Sequence, residues 1–292
     1  MLLQAMGYAF DPELAPWVST LPQTLFDDVP AERARRRQLL DRRPHQPPRP
    51  VDVRDINVPG LADGPDVPVR IYTPEDRKGH LPGFVYLHGG GYAFGDLDMV
   101  HPGAARMAAE VGSVVVSVGY RLAPEHPFPS ALDDAYTALG WVAAHAEDLR
   151  VDPLRLGIGG DSAGGGLAAA VALLARDRGG PRLCFQYLNV PKLDDRMCTP
   201  SALAFVDTPN LTRRMVELCW RYYLGERAEP GGADVSAYAA PARAGELSGL
   251  PPAFVVACEF DPFRDEDIEY AQRLMQAGVS TELRVYPGTF HG

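Results

Sequence analysis

Along most of this chain, short apolar runs alternate with segments of helical periodicity, and no other feature restricts the fold as strongly. The runs are Gly83 to His88, Ser113 to Val118, Leu154 to Gly159, Leu183 to Leu188, Ala253 to Cys258 and Thr281 to Tyr286. They read as strands covered on both faces. Between them lie helical patterns at Ala104 to Val111, Ala131 to His145, Ala163 to Arg176 and Glu266 to Ala277. In the second, Leu132, Ala135, Leu139 and Val142 share a face. A βαβ rhythm of this kind requires a mostly parallel sheet with helices on both faces, and its ligand site belongs at the carboxyl ends of the strands.

Other stretches depart from the rhythm. Val51 to Val58 and Val67 to Tyr72 alternate apolar and polar residues around Asp63-Gly64-Pro65, which predicts an antiparallel hairpin. Residues 1–43 read as short helices, Ala31 to Leu40 being the clearest, and Pro44, Pro47, Pro48 and Pro50 mark a linker. Residues 194–247 form an inserted excursion with one helix from about Thr212 to Tyr223, whose Leu211, Met215, Leu218, Cys219 and Tyr222 fall on one side. The core is then expected in residues 51–193 and 248–292.

Composition excludes several classes of protein. Of 292 residues, 46% are apolar and 23% charged, so the chain can bury a large core and is not disordered. The longest apolar run, Leu167 to Ala175, is far short of the roughly twenty residues a transmembrane helix needs. A net charge of -10 repels phosphate backbones at long range, so no nucleic-acid partner is expected. The cluster Arg33, Arg35, Arg36, Arg37, Arg42 and Arg43 runs against that balance and reads as a solvated helix face. The first residues carry no cationic segment before an apolar stretch, so a cytoplasmic location is expected. Cys184, Cys198, Cys219 and Cys258 have neither C-x-x-C pairing nor histidine at zinc spacing; they read as buried free thiols, and no metal motif appears.

The chemistry begins at RLGIGGDSAGGGLAAAVALLA, where G-x-S-x-G falls at Gly160, Ser162 and Gly164, after an apolar strand and before an alanine-rich helix. The letters alone are weak; a strand, a tight elbow and a helix together are a strong signal for an exposed nucleophile. His88-Gly89-Gly90-Gly91-Tyr92 follows another strand and so reaches the same edge of the sheet. Successive glycines can aim backbone N–H groups at an anion, and the N–H of Ala163 at its helix start adds another donor. His88 reads as an organiser of that loop.

A hydroxyl nucleophile needs a base, and seven histidines are available. His291 follows the last apolar run by five residues, at the edge where Ser162 lies. His45 sits in the proline linker, His80 in a polar loop, His126 in PEHPFP, and His145 at a helix end, all poorly placed. The base needs a carboxylate to fix its tautomer. Asp261, in EFDPFRDED just past a strand, is chosen over Glu259, Asp265 and Asp267, the last two being helix-start residues. The order Ser162, Asp261, His291 is that of α/β-hydrolases.

HGGGY at 88–92, YRLAPEHPFPSALDD at 120–134, GDSAGG at 160–165, DPFRDE at 261–266 and His291 together resemble the hormone-sensitive-lipase family of bacterial carboxylesterases. The resemblance implies an α/β-hydrolase fold with an eight-stranded sheet and a helical cap, built from residues 1–43 and 194–247. It implies Ser162, Asp261 and His291 as the catalytic residues. It also implies Gly90, Gly91 and Ala163 as oxyanion donors with Gly89 positioning them, and no cofactor. Members of the family often dimerise, so a homodimer is an expectation of the resemblance alone. They also usually continue for some tens of residues past the histidine. The expectation is therefore lower activity or stability here than in a chain with that tail.

The expected substrate is a small-molecule ester with a short to medium acyl chain. Phe94, Phe205, Met215 and Trp220 suit either a closed pocket or ordinary core. Two other readings share the fold: a non-catalytic small-molecule receptor, against which His291 argues, and an amidase or peptidase using the same three residues.

Overall fold

The computed structural model describes residues 7–21, 26–40, 49–61 and 64–292. The predicted linker at 44–48, Arg42, Arg43, His45 and the turn residue Asp63 lie outside the described residues. Eight strands form one sheet: β1 (Val51–Val58), β2 (Val67–Pro74), β3 (Leu81–Leu87), β4 (Val114–Val118), β5 (Val151–Asp161), β6 (Phe185–Asn189), β7 (Ala253–Phe260) and β8 (Thr281–Phe290). Their order is β1-β2-β4-β3-β5-β6-β7-β8. The β1–β2 hairpin and the β2–β4 pairing are antiparallel, and every pairing from β4 to β8 is parallel.

Helices α1 (Ala15–Val18) and α2 (Val29–Leu40) precede the sheet. Within it run α3 (Leu97–Val111), α4 (Ser130–Ala144), α5 (Ala163–Asp177) and α8 (Arg264–Gln276), while α6 (Pro200–Ala204) and α7 (Arg213–Leu224) belong to the excursion after β6. Side chains of successive strand residues point to opposite faces. Ile71, Val85 and Val116 therefore join α4, α5 and α8 in one core, while Tyr72, Tyr86 and Val115 pack against α3 on the other side. Helix α5 is buried at every position from Ala163 to Ala175, which its small residues permit.

Three expectations need correction. First, β8 continues to Phe290, so His291 is the first residue past the strand, not five residues beyond it. The apolar run ends at Tyr286, but a register shift opposite Cys258 and Phe260 takes up Pro287-Gly288 and pairing resumes at Phe290. Second, α3 begins at Leu97, ahead of Pro102, because Asp96 caps it by accepting the Met99 N–H (2.8 Å). Third, only Cys219 is a buried thiol; Cys184 and Cys198 are exposed and Cys258 is half-buried. Apolar neighbours in sequence do not ensure burial where the chain leaves the sheet.

Of the α2 arginines, Arg37 is solvated as expected, but Arg33, Arg35 and Arg36 are not. Arg35 and Arg36 bond the fully buried Glu32 (2.7 Å each), and the Arg36 guanidinium lies 5.0 Å over the Phe94 ring. Arg33 donates to the carbonyls of Ala93 and Ala123 (2.8 Å each) and to Glu125. Phe26 and Val29 pack with Phe94 and Cys219, so the N-terminal segment meets α7. Among the described residues no helix is long and apolar enough to cross a membrane.

Candidate active site

Four strand ends converge on one rim. His88 follows β3, Ser162 follows β5, Asp261 follows β7 and His291 follows β8. Ser162 has φ 54° and ψ -117°, a conformation that L-residues adopt only under constraint, at a cost on the order of 1–3 kcal/mol. Backbone bonds supply the constraint: Ser162 N–H donates to Asn189 O (2.8 Å), and its carbonyl accepts from Gly166 and Lys192 (3.0 Å each). The elbow also demands close approach. A Cβ on Gly164 would collide with the carbonyl oxygens of Leu87 and His88, so only glycine lets α5 start this near β3.

The Ser162 hydroxyl donates to His291 Nε2 (2.9 Å), and His291 Nδ1–H donates to Asp261 Oδ2 (2.7 Å). Asp261 is fully buried, and its second oxygen accepts the Phe263 N–H at 2.9 Å. Two contacts hold the imidazole: Asp261 fixes one nitrogen and the Phe263 ring meets it edge-on at 5.2 Å. Asn210 Nδ2 donates to the His291 backbone carbonyl (2.9 Å) and so steadies the main chain that carries the ring.

The competing acids are committed elsewhere. Glu259 accepts the Gly288 N–H (2.6 Å), Asp265 accepts from Ser201 N–H (2.7 Å) and Arg264 (2.8 Å), and Asp267 is buried inside α8. The other histidines are also placed away: His80 beside Glu147 (3.1 Å), His145 capping α4, and His101 beside the Tyr72 hydroxyl (3.2 Å).

The glycine loop leans on the elbow, since a Cβ on Gly89 would stand 3.0 Å from Asp161 O and 3.5 Å from Ser162 Cβ. Gly90 takes φ 122°, a glycine conformation, and its carbonyl accepts from Ala93 (3.1 Å) and Phe94 (2.9 Å). The N–H groups of Gly90, Gly91 and Ala163 donate to no backbone carbonyl of the described residues. His88 has the organising place read from sequence. Its ring stacks on Tyr120 (4.1 Å), its Nδ1–H donates to Gly89 O (2.9 Å), and its carbonyl accepts the Tyr120 hydroxyl at 2.6 Å. Burial pulls its pKa down to about 4, so the ring is neutral near pH 7.

Ser162 and His291 open on a cavity of about 450 Å³. Its walls include the glycine loop, Phe26, Lys192, Leu211, Val216 and Cys219. Phe94, Phe205, Met215 and Trp220 are not among its lining residues; Phe94 and Trp220 are fully buried core. Sequence reasoning missed Asn210, Phe263 and Lys192. Lys192 follows β6 at a strand's carboxyl end, so the rule that placed the site there could have found it. Asn210 had no such signal, because it reaches the rim from the irregular excursion.

Residues 84–292 match the α/β-hydrolase-fold family. The chain is 41% identical over 290 residues to carboxylesterase NlhH of Mycobacterium tuberculosis, covering 97% of this chain and 88% of that protein. Esterase LipI of the same organism is 39% identical over 292 residues, with the same coverage. Among solved structures, a bacterial heroin esterase superposes with a TM-score of 0.93 at 47% identity, over 97% of this chain and 90% of that one.

Proposed function

This chain belongs to the α/β-hydrolase-fold family, among the hormone-sensitive-lipase-type carboxylesterases, and is a carboxylic ester hydrolase; from that premise we propose that it cleaves short to medium acyl esters through an acyl-enzyme formed on Ser162. His291 Nε2 takes the Ser162 proton as Oγ attacks the ester carbonyl. The oxygen of that carbonyl becomes an oxyanion facing the N–H groups of Gly90, Gly91 and Ala163, with Gly89 shaping the loop. The C–O bond to the alcohol then breaks, and His291 returns its proton to the leaving oxygen. Water, deprotonated by the same nitrogen, attacks the acyl carbon and releases the acid. Asp261 holds Nδ1–H throughout, fixing the tautomer that presents Nε2 to the serine.

The observation that carries this reading is the unbroken chain Ser162 Oγ, His291 Nε2, His291 Nδ1, Asp261 Oδ2, with spacings of 2.9 and 2.7 Å. A cavity of about 450 Å³ favours compact acyl groups over long lipid chains. In this proposal α1, α2 and the 194–247 segment act as a cap over it, since Val29 of α2 and the preceding Phe26 share a cluster with Cys219 of α7.

The test is hydrolysis of p-nitrophenyl butyrate and of the matched anilide by the native chain and by Ser162→Ala. Ester cleavage that falls by about 10⁴-fold or more in the variant, with the anilide untouched, is expected. A Ser162→Ala protein that retains native turnover overturns the assignment, and efficient anilide cleavage would move the chain to the amidases.

A further inference from the structure

Lys192 is the one lysine whose side chain is fully buried, and it lines the same cavity as Ser162. Its Nζ lies 4.2 Å from the centre of the Trp220 ring and 5.3 Å from that of Tyr92, and it has no hydrogen-bond partner among the described residues. An ammonium carries three donors, and aromatic faces attract the charge without accepting those donors as an oxygen would.

No acid bonds the amine directly: Glu266 and Asp195 act on its charge only at longer range, and their oxygens are engaged by other donors. Glu266 Oε1 accepts the backbone N–H of Leu193 (2.7 Å) and Asp194 (3.1 Å). Asp194 is bound to Arg196 (2.7 Å), and Asp195 takes Arg243 and the Gly231 N–H. Burial pulls the Lys192 amine down to about 8, which still leaves most of it charged near neutral pH. A buried cation with its donors unmatched is costly unless an anion joins it.

The placement says which anion would. Lys192 N–H bonds the carbonyl of Ser162, and Cys219, one residue from Trp220 on α7, packs against Gly91. This is the oxyanion side of the serine. The leaving oxygen has to face His291 to receive its proton, so the acyl chain is the half that runs toward Lys192. We propose that Lys192 is a specificity-determining residue that selects esters whose acyl chain ends in a carboxylate, that is, half-esters of short dicarboxylic acids. The inference rests on the ester-hydrolase reading above and names its substrate class. Nζ is closed over by Trp220 and Tyr92, so the carboxylate would reach it as the flexible lysine chain turns toward the cavity, and would then accept the free Nζ–H donors in the charge-assisted bonds that the protein leaves unmade.

The test compares monoethyl glutarate with ethyl pentanoate, which differ by a carboxylate in place of a methyl group, by the rate of ethanol release. In the native chain, the ratio of kcat/KM for half-ester over neutral ester should exceed that of Lys192→Met by about tenfold or more. Lys192→Gln serves as the second variant if Met at this position prevents folding. A measurement on the native chain needs no variant: glutarate should inhibit p-nitrophenyl butyrate turnover about tenfold more tightly than pentanoate. Equal ratios in native and variant chains, or equal inhibition by the two acids, overturn the inference and leave the esterase reading standing. Failure of the native chain to cleave ethyl pentanoate and p-nitrophenyl butyrate overturns that reading, and this inference with it.

Discussion

Single atoms govern this site. At Gly90 the backbone sits at φ 122°, and an added Cβ would collide with the carbonyl oxygen and Cβ of Phe94. Any side chain there must push the loop that carries the proposed oxyanion donors. We expect Gly90→Ala to lower kcat for p-nitrophenyl butyrate by about 10²–10³, the cost of losing one such donor. A variant with native kcat would place the oxyanion elsewhere. Asp261 illustrates the same dependence. Four other acids lie within six residues of it, yet only the carboxylate bonded to His291 can fix that ring. The sequence singled it out by its place just past a strand and ahead of a helix start, and the Phe263 N–H steadies it there.

At the scale of elements, α2 shows how a helix with a weak apolar stripe is held in place. Its apolar contact with the body runs mainly through Val29 and the preceding Phe26, so polar anchors carry the rest. Arg33 reaches two carbonyls on separate loops, at Ala93 and Ala123, while its pairing with the half-exposed Glu125 adds little in water. Hydrogen bonds from a charged donor to partly buried carbonyls are worth more than the surface ion pair. We expect Arg33→Ala to destabilise the protein by about 2 kcal/mol in urea unfolding, and Arg33→Lys to recover little, since one ammonium cannot span both carbonyls. A change within experimental error would show that α2 is held by its apolar contacts instead. The excursion acts through α7 in the same way, carrying Cys219 to the glycine loop and Val216 to the cavity.

For the whole molecule, stability should depend on pH through Asp267. Its carboxylate is fully buried in α8, without a hydrogen-bond partner among the described residues. Burial first, then the nearby Glu266 and Asp261, push its pKa well above the ordinary 3.8. The folded state then holds this proton to higher pH than the unfolded chain does. Stability is lost progressively as pH rises from about 3.8 toward the folded-state value. Asp267→Asn removes that slope. We expect the variant's melting temperature minus the native one to grow as pH rises from 4 to 8, and a difference independent of pH would refute the linkage.

How far the sequence alone reached can be followed through particular residues. The strand and helix alternation, the hairpin at β1 and β2, the elbow at Ser162 and the glycine run at 89–91 are written in contiguous residues. Local period and turn chemistry suffice to read them. The family, the α/β-hydrolase fold and the carboxylesterase class followed from those motifs and their order. Boundaries failed where an element runs past a proline: pairing with β7 carries β8 beyond Pro287, and the Asp96 cap starts α3 ahead of Pro102. Tertiary structure alone decided what depends on contacts between distant segments. Ser162 meets His291 across 129 residues, Asn210 reaches the His291 carbonyl from the excursion, and Arg33 and Arg36 of α2 turn inward to Ala93 and Glu32. Lys192 became informative only when Tyr92 and Trp220 enclosed it, because a side chain's burial and its unmatched donors are properties of the packed molecule and not of its neighbours in sequence.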